Sequence, residues 1–584
     1  MTESTLIPAG RYIFERVAQL GVKHVFGVPG DFNLTLLDEL LNVPQLKWQG
    51  ACNELNAAYA ADGYSRVRGL PGVLVTTYAV GELSAMNGVA GAYAEHAGMI
   101  HVVGMTARNL QKSKVMIHHT FKPEQDHAIY AKMTEPINKT QALLFDDATM
   151  AEEVDRVIVE AVKSRLPVSI YVPTDSVAVS VDAKRLQIPL DLEIKNDPQV
   201  EEKIVERVLE EISKASNPAI LADVLTIRHK ALAETRRLAD LTRFSSYSTP
   251  LSKGVIHENK EYYNGVYNGQ VSFPETKAAL EGSDLVLNIG PLLSDSNTGG
   301  FTRGLSDDKL IMLAHDYCAV KKERFDGVHF LPVLQRIVHE LEKNPSTYKL
   351  PRSPQPKVET PILSDSKSGP ITQGYTWQRL GKFTRPGDIV VVEAGTAQFG
   401  MPDAVFAEDV SYLTQIYWSS IGFSVGACLG ACTAARELDI DNKRRRVILI
   451  VGEGSLQMTV QEVGSYIRFG YTPLIFVINN NGYSIERAIH GPKQEYNDIS
   501  MLWDHQQLLG FLGARKETGI KSRSFACKTV EDLEAVLTNE EFVEADYIQL
   551  CEIFMDKFDY PWRLTGQLDV VRKRAAALQA KLDG

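Results

Sequence analysis

Cysteine is scarce in this 584-residue chain, with six residues at positions 52, 318, 428, 432, 527 and 551. None stands in Cys-x-x-Cys spacing, which argues against structural zinc and against a disulfide framework. Sparse, unpaired thiols fit a reducing compartment. Basic charge is also in deficit, 62 Lys and Arg against 73 Asp and Glu, for a net charge of −11. Nucleic-acid binding needs clustered surplus Lys and Arg, so no such partner is expected. The N-terminus, MTESTLIPAG, lacks a basic stretch leading into an apolar run, so no signal peptide is expected. A long membrane-spanning run is missing too. The charge-free stretch 410–435 is broken by Gly, Ser, Thr, Tyr and Gln, and reads as a buried core helix with its lead-in. The expectation is a cytoplasmic protein without membrane partners.

What is present is an ordinary globular mix, 44% hydrophobic and 23% charged. The length suggests roughly three to five domains. Residues 1–185 alternate apolar runs such as HVFGV, GVLVTTY, MIHVVGM and VSIYVP with helical patterns. That alternation predicts parallel strands crossed over by helices. A second α/β block, 195–345, carries PAILAD, DLVLNIG and DKLIMLAHD. A proline-rich segment, 346–370, reads as a linker. The block 371–584 alternates again through DIVVVEAG, RVILIVG, PLIFVINN and YIQLCEI. The fold class is therefore α/β, with three doubly wound domains built on parallel sheets.

The most informative stretch is RVILIVGEGSLQMTVQEVGSYIRFGYTPLIFVINNNGY, residues 446–483. It reads strand, Gly-Glu-Gly-Ser turn, helix, strand, Asn-Asn-Asn-Gly. In a right-handed βαβ unit the C-terminal ends of the strands lie side by side. Glu453 and Asn480 should thus meet at one sheet edge, where ligands of such sheets bind. A carboxylate, an amide oxygen and backbone carbonyls suit Mg²⁺ together with phosphate oxygens. Glycines and a helix N-terminus suit a diphosphate. A dinucleotide fingerprint fails because Gln457 stands at its third glycine, and no P-loop is present. Gly-x-Ser-x-Gly at 422–426 fits a nucleophile elbow only if a strand precedes Ser424, and a packed helix is expected there.

The stretch resembles the metal–diphosphate motif of thiamine-diphosphate enzymes. Nearly the whole chain resembles the pyruvate decarboxylase family, its fungal members in particular, through FGVPGDFNLTLLDEL, CNELNAAYAADGY, VGELSAMNGVAGAYAEH, IHHT, LLSDSNTGGF, SSIGF and GYSIERAIHGP. The resemblance implies non-oxidative decarboxylation of a 2-oxo acid through the thiamine-diphosphate ylide, with pyruvate giving acetaldehyde and CO₂. It assigns Mg²⁺ to Glu453, Asn480 and Gly482. It assigns proton exchange with the cofactor to Glu54, and protonation of the carbon left by CO₂ to Asp31, His118, His119 and Glu486. Cofactor binding falls to Thr396, Ser419, Ser420, Gly454 and Ser455, and to Asn480, Asn481, Gly482, Tyr483, Ser484 and Ile485. Ile421 is the apolar support that bends the cofactor. The family architecture implies a homodimer at minimum, with Glu54 of one subunit meeting the cofactor of another, and a homotetramer of two dimers.

Three departures from the family pattern stand out, at Glu453, Ser296 and Gln398, beside one match in the pocket. Glu453 replaces an Asp, which lengthens a metal ligand by one methylene. Ile485 and Ile489 resemble the bulky pair of pyruvate-selective members. Ser296 stands where those members carry an aromatic residue, as in relatives acting on branched or aromatic 2-oxo acids such as phenylpyruvate or indolepyruvate. Gln398 is unusual at its point in the pocket. Glu453 also leaves open a non-catalytic regulatory relative.

Overall fold

The structure, a computed structural model, describes residues 6–344, 348, 350, 357–439, 444–498 and 503–582. Of the expected linker, residues 346, 347, 349 and 351–356 lie outside the described residues. Residues 357–369 carry no helix or strand, and Pro370 forms a single bridge to Thr529.

The chain forms two compact units. The first comprises Met1–Glu193, Gly422–Arg444 and Thr459–Tyr471. Its main sheet has six parallel strands in the order Lys47–Gly50, His24–Gly27, Gly72–Thr76, Met99–Met105, Pro167–Pro173, Gln141–Leu143. The three runs read as continuous apolar strands, at 72–76, 99–105 and 167–173, are buried along their length. A parallel sheet covered on both faces demands this. Helix Glu54–Arg68 starts on Asn53, whose side chain accepts the Asn56 N–H at 2.8 Å, and ends on left-handed Gly69. It packs on helix Phe423–Leu438, the buried helix expected within the charge-free stretch. Here glycine is required. A Cβ on Gly63 would fall 2.1 Å from the Ala427 carbonyl oxygen, and one on Gly430 would fall 1.9 Å from that of Ala60. Ser424 is the second residue of helix Phe423–Leu438 and a turn rather than a strand precedes it, so the nucleophile-elbow reading fails on geometry.

The second unit comprises Ile194–Ile421, Arg445–Met458 and Thr472–Gly584. One sheet runs Tyr263–Val266, Ser245–Ser248, Pro218–Ala222, Leu285–Ile289, Leu310–Leu313, Tyr317–Val320, Glu323–Asp326. Its last two strands are antiparallel, a hairpin edge on an otherwise parallel sheet. The other sheet is all parallel: Ser411–Thr414, Ile389–Val392, Val447–Gly452, Leu474–Asn479, Ile548–Phe554, Ser522–Cys527. Gly452 pairs with Ile478, so the two chain exits after these strands, at Glu453 and Asn480, sit side by side. Among the described residues no helix is long and apolar enough to cross a membrane.

Candidate active site

In the second unit an open cavity of about 240 Å³ lies at the carboxyl ends of three neighbouring strands, Ile389–Val392, Val447–Gly452 and Leu474–Asn479. The loop after the first supplies Thr396 and Gln398 to its wall. The turn after the second supplies Glu453, Gly454 and Ser455. The third supplies Asn480, Gly482, Tyr483, Ser484, Ile485 and Glu486, and the segment before the Phe423 helix brings Ser419 and Ile421. Two residues singled out from sequence, Ser420 and Asn481, do not line it. The Ser420 N–H is held by Gln415 Oε1 at 3.0 Å, and Asn481 is an exposed left-handed residue with φ 58°.

The oxygen donors are pre-assembled. Glu453 is 1% exposed and opens helix Glu453–Thr459. Burial pushes its carboxyl up, against hydrogen bonds from the backbone N–H groups of Gly482 and Asn480. Asn480 is 4% exposed and lines the same cavity. A buried carboxylate beside an amide on one cavity wall is an arrangement that a hard divalent cation suits. The longer side chain of Glu453 therefore remains within the donor set. Gly482, at φ 119°, is required here: a Cβ would fall 1.8 Å from the Asn497 carbonyl oxygen. At Gly395, by contrast, a Cβ would meet nothing within 4 Å, which leaves the cavity floor open to a ligand.

Sequence reasoning missed a layer beneath the donors. Asn479 Nδ2 donates to Glu552 Oε1 at 2.7 Å, His505 Nδ1 lies 2.8 Å from the same oxygen, and Gln506 Nε2 donates to Oε2 at 2.8 Å. Burial alone would raise the Glu552 carboxyl, yet its bonds to His505, Asn479 and Gln506 hold it below the usual range. Asn479 Oδ1 in turn accepts the Asn481 N–H at 3.2 Å. The loop carrying Asn480 is thus clamped from below.

In the first unit, Glu54 is the first residue of its helix, half-buried, and approached so closely by Gly81 that a Cβ there would lie 3.0 Å from Oε1. Asp31, His118 and His119 come together although 87 residues separate the first two. His118 Nε2 lies 2.5 Å from Asp31 Oδ2, and one ligand atom from each of the three falls within 4.8 Å of the others. Phe32 stacks on His118 at 5.0 Å between ring centroids. His119 holds a left-handed φ of 70°, with its carbonyl accepting from Tyr130 Oη at 2.8 Å.

The remaining pocket residues separate. Ile489 is 53% exposed and does not line the large cavity. Ser296 lines a second, far smaller one, of about 10 Å³, which shares Gln398 and Phe399 with the first.

Comparison with known proteins agrees with this arrangement. Residues 7–129 match the profile described as thiamine pyrophosphate enzyme, N-terminal TPP binding domain. Residues 205–341 match its central domain and 393–544 its C-terminal TPP binding domain. The chain is 42% identical to pyruvate decarboxylase isozyme 2 of Saccharomyces cerevisiae and 41% identical to the pyruvate decarboxylase of Kluyveromyces lactis, each over the full length of both chains. It is 38% identical to a putative pyruvate decarboxylase of Schizosaccharomyces pombe, over 97% of this chain and 99% of that one. Three successive domain matches and end-to-end identity with these proteins place the chain in the thiamine pyrophosphate enzyme family, among the fungal-type pyruvate decarboxylases.

Proposed function

We propose that the chain is a thiamine-diphosphate- and Mg²⁺-dependent 2-oxo-acid decarboxylase that converts pyruvate and a proton to acetaldehyde and CO₂. The observation that carries this reading is the buried Glu453–Asn480 pair on a cavity at the strand ends, within a chain that matches pyruvate decarboxylases end to end. Thiamine diphosphate, when bound, supplies the electron sink that accepts the pair released with CO₂.

The protein's share is binding, orientation and proton handling. Glu453, Asn480 and the Gly482 carbonyl hold the metal. Gly454 and Ser455, at the start of a helix, would offer backbone N–H groups to the diphosphate, with Tyr483 and Ser484 on the loop around it. Thr396 and Ser419 would hold the ring end, with Ile421 as its apolar support. Glu54 would exchange a proton with the aminopyrimidine ring of the bound cofactor. The Asp31–His118–His119 cluster and Glu486 deliver a proton to the carbon that becomes the aldehyde. Ile485 would narrow the substrate end.

The working unit in this reading is a dimer at minimum, with a tetramer expected, in the cytoplasm. Its domains are 1–185 for the pyrimidine ring, 195–345 in the middle and 371–584 for the diphosphate. Ser296 favours a second reading, in which larger 2-oxo acids are preferred. Aldehyde release from pyruvate and phenylpyruvate, with thiamine diphosphate and Mg²⁺, tests both beside Glu453→Asp. Pyruvate turnover in the wild type supports the first reading, and dominance of phenylpyruvate supports the second. Silence relieved only by Glu453→Asp would mark an impaired metal site. Silence in both proteins would favour a regulatory relative.

A further inference from the structure

The turn that carries the paired histidines bends in a way that histidine does not favour. Residues Ile117–Thr120 are closed by the Thr120 N–H on the Ile117 carbonyl at 3.1 Å. His119, third in this turn, holds its left-handed φ of 70° at a position ordinarily given to Gly or Asn. In an extended chain neighbouring side chains point to opposite faces. Here the two imidazoles converge instead, with ring centroids 4.8 Å apart.

Buried groups hold the bend from beneath. Tyr130 Oη donates to the His119 carbonyl and accepts from Gln125 Nε2 at 3.2 Å. Gln125 Oε1 in turn accepts the Phe121 N–H at 2.9 Å, and both Gln125 and Tyr130 are buried. Asp31 comes from a second anchored loop. There the buried Asn33 accepts the Gly30 N–H at 2.9 Å and donates to the Val28 carbonyl at 3.1 Å. A strained residue persists only where its surroundings over-determine it. Two fixed loops thus present three side chains with rigid bases and ends open to water.

The donors suit a borderline metal ion. Ligand atoms of Asp31, His118 and His119 fall within 4.8 Å of one another, the one such trio of His, Cys, Asp or Glu among the described residues. Tetrahedral Zn²⁺ takes imidazole nitrogen and carboxylate oxygen at about 2.0–2.2 Å, which sets neighbouring ligands about 3.3–3.6 Å apart. The Asp31–His118 pair, at 2.5 Å, opens to that spacing when the ion replaces the proton it shares, which leaves to solvent. Rotation of the His119 side chain supplies the third ligand, and a water the fourth. Mg²⁺ prefers oxygen, so two imidazoles select against it. His127, in the same stretch of chain, is already engaged: Thr106 Oγ1 lies 2.8 Å from its Nδ1 and the Val115 carbonyl 3.0 Å from its Nε2.

We propose that Asp31, His118 and His119 form a Zn²⁺ site, different in its donors from the Glu453–Asn480 set, and that zinc bound there stops turnover. The binding rests on this geometry alone. The inhibition rests on the decarboxylase reading, because the ion occupies three of the groups assigned to proton delivery.

The test titrates Zn²⁺ into holoenzyme saturated with thiamine diphosphate and Mg²⁺, reading binding by calorimetry and pyruvate turnover in parallel. Wild type should bind a single Zn²⁺ per chain, and turnover should fall in step with occupancy at constant Mg²⁺. Loss of one ligand, in Asp31→Asn or in His119→Ala, should weaken binding by about 100-fold or more. Co²⁺ offered in place of Zn²⁺ should give the intense visible spectrum of a tetrahedral ion in wild type and in neither variant. Cys52→Ser, which removes the one exposed thiol, should bind Zn²⁺ as wild type does. Equal binding in wild type and both ligand variants, its loss in Cys52→Ser, or no saturable binding at all would overturn the site. Zn²⁺ that fills the site while turnover continues unchanged would overturn the inhibition. Should the protein turn over no 2-oxo acid, the decarboxylase reading fails, and calorimetry with the Co²⁺ spectrum still decides the site.

Discussion

The two units handle charge in opposite ways. In the second, Glu453 and Asn480 are 1% and 4% exposed, fixed by backbone N–H groups and by a clamped layer beneath. In the first, the side chains of Asp31 and His118 are 51% and 55% exposed, and an aromatic ring rather than a buried network steadies them. A cation ligand set gains from burial, because low dielectric strengthens its attraction to the ion once the ion is present. A proton-delivering set needs contact with solvent so that it can recharge. On the proposed function, rigidity accordingly sits where a ligand would be held, and openness where protons would be exchanged.

The largest expected effect tests the proton side. Glu54→Gln keeps size and polarity but cannot exchange a proton, so kcat should fall by roughly 10²–10⁴. His118→Ala should cost less, since Asp31, His119 and Glu486 remain. In both variants the rise in melting temperature on adding thiamine diphosphate and Mg²⁺ should stay as in the wild type, because neither residue belongs to the buried donor set. Loss of that rise in either variant would break the division between the units.

The ligand side should respond in the reverse sense. A carboxylate buried without its cation is costly, so Glu453→Ala should leave the cofactor-free protein no less stable. It should, however, abolish the melting-temperature rise produced by thiamine diphosphate with Mg²⁺. Glu552→Gln, one layer down, should weaken Mg²⁺ affinity by about 10–100-fold. Isothermal titration of the metal into the protein with thiamine diphosphate reads this without any assay of turnover. Unchanged affinity would show that Asn480 is oriented by its own loop alone.

How far these features were legible in the sequence follows from the same physics. The pairing of Glu453 with Asn480 could be read because neighbouring parallel strands joined by a helical crossover bring their ends together whatever the side chains are. The buried helix at 423–438 could be read from its small residues. Asp31 with His118 and His119 could not be assembled from residues alone, since their meeting depends on two loops of the first unit, and only resemblance joined them. Glu552 was invisible because it sits inside an otherwise apolar strand, IQLCEIF, where a single acid disturbs no pattern. Strands such as Lys47–Gly50, Gln141–Leu143 and Ser411–Thr414 escaped notice because short edge strands need not be apolar.

The smallest predicted effect separates two buried glutamates that look alike. Glu82, in the first unit, is as buried as Glu453, but its described partners are neutral: Tyr171 Oη donates at 2.6 Å and Thr134 Oγ1 at 3.4 Å. Burial outweighs these bonds and raises its pKa from 4.5 to about 7. Between those values the folded chain holds a proton that the unfolded chain has released. This glutamate's contribution to stability therefore falls as pH rises through that window, and above pH 7 the full cost, on the order of 2–3 kcal/mol, is present. Glu82→Gln should raise the melting temperature by a few degrees at pH 8, and the gain should shrink to nothing near pH 4.5. His101, also buried, has its pKa pushed down to about 3, so its contribution rises with pH between about 3 and 6.5. It is common to both proteins and cancels in the difference. Thermal unfolding of wild type and variant from pH 5 to 8, with and without Mg²⁺, provides the measurement. A gain that grows with pH and ignores Mg²⁺ marks Glu82 as a buried acid that serves packing. A gain of equal size at pH 5 and pH 8 would mean that Glu82 does not titrate in this window, and a gain that Mg²⁺ abolishes would make it a second cation ligand.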